Sequence, residues 1–306
     1  MSFRLFIYYC ALCGGWAAFL TWGLIQGIDM ANPRPTGLFR ATLIAGILGA
    51  LVSAAIGMVD AISNASGTQR LVRVLVCAVL GLFGGAFGGF MGQVLYNALS
   101  QRPSLQEPAL VVGWMLAGVF IGAAIGAFDV FRAMSSGEVI GSGVRKSLNG
   151  VYGGVLGGLI GGLPFSLLVN STALPRSGQL ISLVLLGASI GLMIGLAQII
   201  LKEAWIKVEE GFRAGREVML TKEETTIGRA ESCDLGLFAD TGIERLHASI
   251  TQKKHGYMLS HVGKEGETLL NDQPVGTKPE LLHSGDRIRI GKSVLSFGER
   301  QKKKKK

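Results

Sequence analysis

LVCAVLGLFGGAFGGFMGQVL, residues 75–95, decides the reading of the first two thirds of the chain. It carries no charge, and about 20 such residues suffice to cross a bilayer as a helix. Its glycines come in doublets, Gly84–Gly85 and Gly88–Gly89, one helical turn apart. Working outward, five more segments share this character, so six spans are expected at residues 5–27, 40–59, 74–97, 110–128, 148–170 and 179–201. None has a charge in its middle. The first follows Arg4 as a signal peptide would, but its apolar run is too long and lacks a small-residue cleavage site, so it is read as a retained span.

Composition supports the division. The 306 residues are 49% hydrophobic and 17% charged, with 45 glycines and a mean hydropathy of +0.42. Soluble domains carry about 25% charged residues and about 7% glycine. Residues 1–200 hold 33 of the glycines and a single lysine, Lys146, whereas residues 201–306 hold all four histidines. A single soluble globule, a disordered chain and a disulfide scaffold are thereby excluded. Cys10, Cys13, Cys77 and Cys233 are too scattered for a disulfide framework, and the Cys10–Cys13 spacing inside a span reads as packing. The expected organisation is a six-helix membrane bundle over 1–201, an all-β domain over 202–301 and a lysine tail over 302–306.

Lysines and arginines near span ends set orientation. With the N-terminus inside, Arg4, Arg70, Arg73, Arg132, Arg145, Lys146 and Lys202 are cytoplasmic, against Arg34, Arg40, Arg102 and Arg176 outside. Both termini and the C-terminal domain are therefore expected in the cytoplasm, at an inner membrane. The outer loops carry Pro33, Pro35, Pro103, Pro108 and Pro175.

An internal repeat recurs every 69 residues: Gly49, Gly57 and Asp60 fall on Gly118, Gly126 and Asp129, then on Gly187, Gly195 and Gln198. GGAFGG at 84–89 falls on GGVLGG at 153–158. This implies three parallel two-helix hairpins rather than the inverted repeats of many transporters. Glycines four apart (Gly85 and Gly89, Gly122 and Gly126, Gly154 and Gly158) give each helix a face for close packing, within the bundle or between copies in a homo-oligomer. Asp60 and Asp129 are the polar candidates of the bundle, expected at its edge in interfacial ion pairs with Arg70, Arg73 or Arg132.

The pI near 9.5 and net charge of +9 do not describe a basic fold. Lys302 to Lys306 supply five of the charges, and residues 201–301 alone sum to −1. The tail is a candidate for anionic-lipid contact; with no aromatic or folded basic patch beside it, nucleic acid is not an expected partner. No metal-ligand spacing, nucleophile elbow or phosphate loop is present, so neither an enzyme nor a cofactor is expected.

From Ala204 onward, short alternating apolar runs bounded by turn residues predict a β-sandwich. TTIGRAESCDLGL (225–237), IERLHASI (243–250), TLLND (268–272), HSGDRIRIG (283–291) and SVLSFGE (293–299) together resemble a forkhead-associated (FHA) domain. The resemblance implies an eleven-stranded sandwich, without catalytic activity, whose apical loops bind phosphothreonine peptides. It places Arg229, after Gly228, on the phosphate-contacting arginine and His247 on the histidine that braces the loops, with Thr268 as a further structural position. Glu244 stands where the family has a phosphate-binding serine, and Glu265 and Gly266 where it has a hydroxyl and an asparagine. Arg245, Lys264 and Asn271 complete the expected partner-binding set, and Arg229 has Glu244 as an alternative ion-pair partner. Two readings stay open: docking of a Thr-phosphorylated cytosolic protein, or phospho-independent docking. The function expected is recruitment or scaffolding at the membrane; the alternative is a small-solute transporter or channel with a regulatory FHA-like domain.

Overall fold

A computed structural model covers the chain and describes residues 2–31, 37–64, 69–99, 101–136, 141–169, 175–211, 214–220, 223–238, 240, 242–253, 255–276 and 278–300. Pro33, Arg34, Pro35 and the Lys302–Lys306 tail lie outside these residues, as do the side chains of Arg132 and Arg176. The chain divides into two units, one helical and one all-β.

The helical unit comprises α1 (Phe3–Ala31), α2 (Gly37–Asn64), α3 (Gln69–Ala98), α4 (Pro103–Ser136), α5 (Gly141–Val169) and α6 (Pro175–Ile200). All six are long and apolar enough to cross a membrane. They outrun the expected spans, because polar residues at both ends extend the helix beyond its apolar middle. Pro103 and Pro175 are not loop residues; they open α4 and α6, where a missing N–H breaks no helical bond. Pro108 likewise lies inside α4, near its start.

Glycine decides how these helices pack, and the two members of each doublet serve two faces. On α3, Gly81, Gly85 and Gly89 abut α2, at Gly49 and Ala45, while Gly84, Gly88 and Gly92 abut α4, at Phe120, Ala117 and Gly113. The same two ridges recur one repeat later on α5. Gly150, Gly154 and Gly158 abut α4, and Gly153, Gly157 and Gly161 abut Ile194, Ile190 and Leu186 of α6. Gly187 and Gly191 of α6 meet Gly14 and Cys10 of α1. At Gly118 and Gly154 a Cβ on either residue would overlap the other's carbonyl. Lipid provides no hydrophobic drive between helices, so this close backbone approach is itself the source of cohesion.

The second unit is a sandwich of eleven strands: β1 (Ala204–Glu210), β2 (Glu217–Met219), β3 (Glu224–Gly228), β4 (Leu235–Gly236), β5 (Ala248–Lys253), β6 (Gly256–His261), β7 (Thr268–Leu270), β8 (Gln273–Pro274), β9 (Glu280–Leu281), β10 (Arg287–Ile290) and β11 (Ser293–Glu299). One sheet runs β2-β1-β11-β10-β7-β8 and the other β4-β3-β5-β6-β9. Period-two alternation builds the core between them. Ile206 and Val208 of β1, and Ile288 and Ile290 of β10, point inward against Ile227, Ile250 and Leu259 of the facing sheet. Lys207, Arg287 and Arg289 alternate outward. β3 pairs in parallel with β4, and this short return throws the Arg229-bearing loop off one end of the sheet.

Candidate functional site

Three loops meet at that end: residues 229–234, 237–247 and 262–267. Gly228 lets the first approach the second, since a Cβ there would strike the Arg245 carbonyl and Leu246. The backbone N–H groups of Arg229 and Ala230 then bond the carbonyls of Glu244 and Arg245, at 2.8 and 3.0 Å. The first loop is also tied down at its far end. The Asp234 carboxylate accepts from the backbone N–H and hydroxyl of Thr226, both at 3.1 Å, and the Cys233 thiol donates to the Arg245 carbonyl.

His247 is fully buried between the other two loops. Its Nδ1 accepts the Glu244 N–H at 3.2 Å, which leaves Nε2–H facing the Glu267 carbonyl at 3.4 Å. Desolvation, the largest influence, lowers the imidazole pKa below 6.5 and favours the neutral ring. Gly266, at φ +85°, lets the third loop pass over His247. Thr268 is buried with its hydroxyl 2.9 Å from Nδ1 of His261. The His261 ring lies edge-on to His247 at 5.1 Å.

The charged groups arrange themselves differently from the expectation. Glu244 does not pair with Arg229; its half-buried carboxylate accepts the backbone N–H of Glu265 and so closes the third loop. Arg229, Arg245 and Lys264 are exposed, and among the described residues their side-chain nitrogens form no hydrogen bond or ion pair. Glu265 and Glu267 are exposed on the same loop as Lys264. Asn271 is not part of this group. It lies at the far end of β7, where Asn271 and Asp272 take positive φ to turn the β7–β8 hairpin. Its side chain bonds Asp286 and the Arg287 N–H, each at 2.9 Å.

Sequence reasoning missed several supports of the site. Asp240 accepts the N–H groups of Lys292 and Gly242, at 2.5 and 3.0 Å, pinning the second loop to the β10–β11 turn. The Lys292 bond, the largest influence, lowers the Asp240 pKa. Only the Asp-x-Gly spacing at 240–242 hints at half of this in sequence. His261 and Asp234 act through strand register, which no local motif announces.

In the helical unit, Asp60 and Asp129 come together, but not at an exposed edge. Arg73 bridges both carboxylates, and Lys146 bridges them again at 2.6 and 3.1 Å. Asp60, Arg73 and Lys146 are 1%, 4% and 5% exposed. Gln198, the third-repeat counterpart, donates to the Lys146 carbonyl at 2.9 Å. Arg73 and Lys146, expected just outside spans 74–97 and 148–170, thus lie inside α3 and α5. The result is a neutral quartet among these four residues, with each carboxylate holding both cations.

Residues 207–301 match the family described as "Inner membrane component of T3SS, cytoplasmic domain". No curated protein matches the chain. Among solved structures, the sandwich is similar to an FHA domain studied for phosphothreonine-dependent interactions, at 26% identity over 33% of this chain and 99% of that one, TM-score 0.30. It is similar to the FHA domain of FhaA, complexed with a partner's intracellular domain, at 28% identity over 31% and 98%, TM-score 0.28. A third is the cytoplasmic domain of the T3SS sorting platform protein PscD from P. aeruginosa, at 22% identity over 33% and 83%, TM-score 0.29. Motif order, strand topology and family match agree that the C-terminal third is an FHA-like domain.

Proposed function

We propose that the chain is a multi-pass membrane protein that recruits a cytosolic partner through the apical loops of its sandwich, without catalysing a reaction. The observation that carries this is the trio of exposed cations, Arg229, Arg245 and Lys264, unpaired among the described residues, on loops tied to buried His247 and to one another by hydrogen bonds. Guanidinium groups in such a position suit an anionic ligand, and a planar fork suits phosphate. Phosphothreonine is the anionic group this reading favours, with Arg229 as its anchor. With Glu244 turned onto the loop backbone, one of the two carboxylates that would oppose a phosphate is already engaged. The family match to a cytoplasmic domain of an inner-membrane component supports placing the sandwich on the cytoplasmic side.

Exposed Glu265 and Glu267 favour a second version, in which the same face docks an unphosphorylated segment. A competition experiment separates them. The full chain in nanodiscs is used to capture cytosolic protein, alongside the Arg229→Ala/Arg245→Ala/Lys264→Ala variant and a chain lacking residues 204–301. Capture lost in both variants supports the reading, and capture sensitive to phosphatase selects the first version. Equal capture by all three chains removes the sandwich from the function.

A further inference from the structure

At the end of the helical unit opposite the ion-pair quartet, α2, α3, α4 and α5 leave between them a cavity of about 280 Å³. Its lining is mostly apolar. Gln93 and Tyr96 lie close to the end of α3, while Gly89 is nine residues from Ala98, or about 14 Å inward at 1.5 Å per residue. The apolar part of the lining is Ile44, Leu110, Trp114 and Phe165, with the Trp114 and Phe165 rings edge-on at 4.9 Å. Among the lining side chains Gln93 and Tyr96 are polar and the rest apolar, and Tyr96 is two residues from the end of α3.

Water is a poor occupant, because a buried water needs two to four polar partners and the interior offers apolar walls. An apolar cavity of about 150 Å³ already binds benzene, so this one admits a longer hydrocarbon. Its setting supplies one, since the surrounding helices are of membrane-spanning length and composition. The cavity is also not a simple by-product of the repeat: one repeat on, Ser182 and Leu183 replace Gly113 and Trp114. We propose that the cavity is a lipid site, taking one acyl chain of a bilayer phospholipid with its headgroup end beside Gln93 and Tyr96.

Trp114 reports occupancy, because it is only 8% exposed and lines the cavity. The full chain carrying Trp16→Phe, Trp22→Phe and Trp205→Phe, so that Trp114 is the one tryptophan left, is reconstituted in phosphatidylcholine vesicles with either ordinary or brominated acyl chains, and tryptophan emission is compared. The expected result is loss of the Trp114 emission in brominated vesicles, restored when Ala41→Phe or, separately, Ile44→Phe fills the cavity. Two outcomes overturn the proposal. One is emission unchanged by bromination while a chain retaining lipid-exposed Trp16 is quenched; the other is quenching that neither folded filling variant relieves, which assigns it to lipid outside the bundle.

Discussion

Replacing Asp60 by Asn keeps the shape of the side chain and removes one charge from the quartet. Arg73 and Lys146 are then left sharing the partly exposed Asp129, and two cations that are themselves 4% and 5% exposed carry a net positive charge. Breaking a buried ion pair from one side costs about 3–5 kcal/mol, because an uncompensated charge stays behind. Asp60 is 1% exposed and touches both cations, so the loss belongs in that range rather than in the roughly 0–1 kcal/mol of surface pairs. Adding Lys146→Met to the same chain removes the surplus cation and leaves a neutral Arg73–Asp129 pair, so the double variant recovers most of the loss. The assay is denaturant titration of the purified chain in micelles, followed by helical circular dichroism, arranged as a double-mutant cycle. A loss below about 1 kcal/mol for Asp60→Asn, or strictly additive losses in the double variant, refutes the quartet account.

Three further outcomes are expected. The sandwich loses stability as pH falls below 6.5: the unfolded imidazole of His247 takes up a proton before the folded one, whose pKa burial lowers, and His247→Gln flattens this slope in thermal unfolding. Stability is full above that pH and declines as pH drops towards the folded value. Gly154→Val disrupts the helical unit by overlapping the Gly118 carbonyl, whereas Gly23→Ala, with open space around it, is neutral or stabilises by up to about 1 kcal/mol in the same micelle titration. Asn271→Ala lowers the unfolding midpoint of the sandwich by removing its bonds to Asp286 and Arg287, yet leaves partner capture unchanged.

Much of this architecture is written in local patterns. Uncharged apolar runs announce six helices, and the 69-residue echo places Gly85 and Gly154 in equivalent contacts. Glycines four apart give one packing face, and the second face comes from their doublet neighbours, because adjacent residues lie 100° apart around a helix. Loop motifs located Gly228, Arg229 and His247, because their chemistry is bound to fixed spacing. Long-range pairing is legible only in part: Arg73 is among the expected partners of Asp60 and Asp129, whereas Lys146 is not. Lys146 reaches Asp60 across 86 residues of sequence, and hydropathy counts it only as a charge near a span end. Asn271 was misplaced for the same reason: proximity in a motif to Thr268 does not reveal that β7 carries it away from the loops.

The measurement that bears most directly on the sandwich as a binding module is titration of the full chain in nanodiscs with a phosphothreonine peptide library and its unphosphorylated counterpart, in parallel with Arg229→Ala. A hydrogen bond to a charged group contributes about 1.5–3 kcal/mol, so Arg229→Ala should weaken phosphopeptide binding by about 10- to 100-fold. Unphosphorylated peptides should bind correspondingly less. Equal binding of both libraries by the intact chain and by Arg229→Ala would contradict the assignment of the phosphate to Arg229.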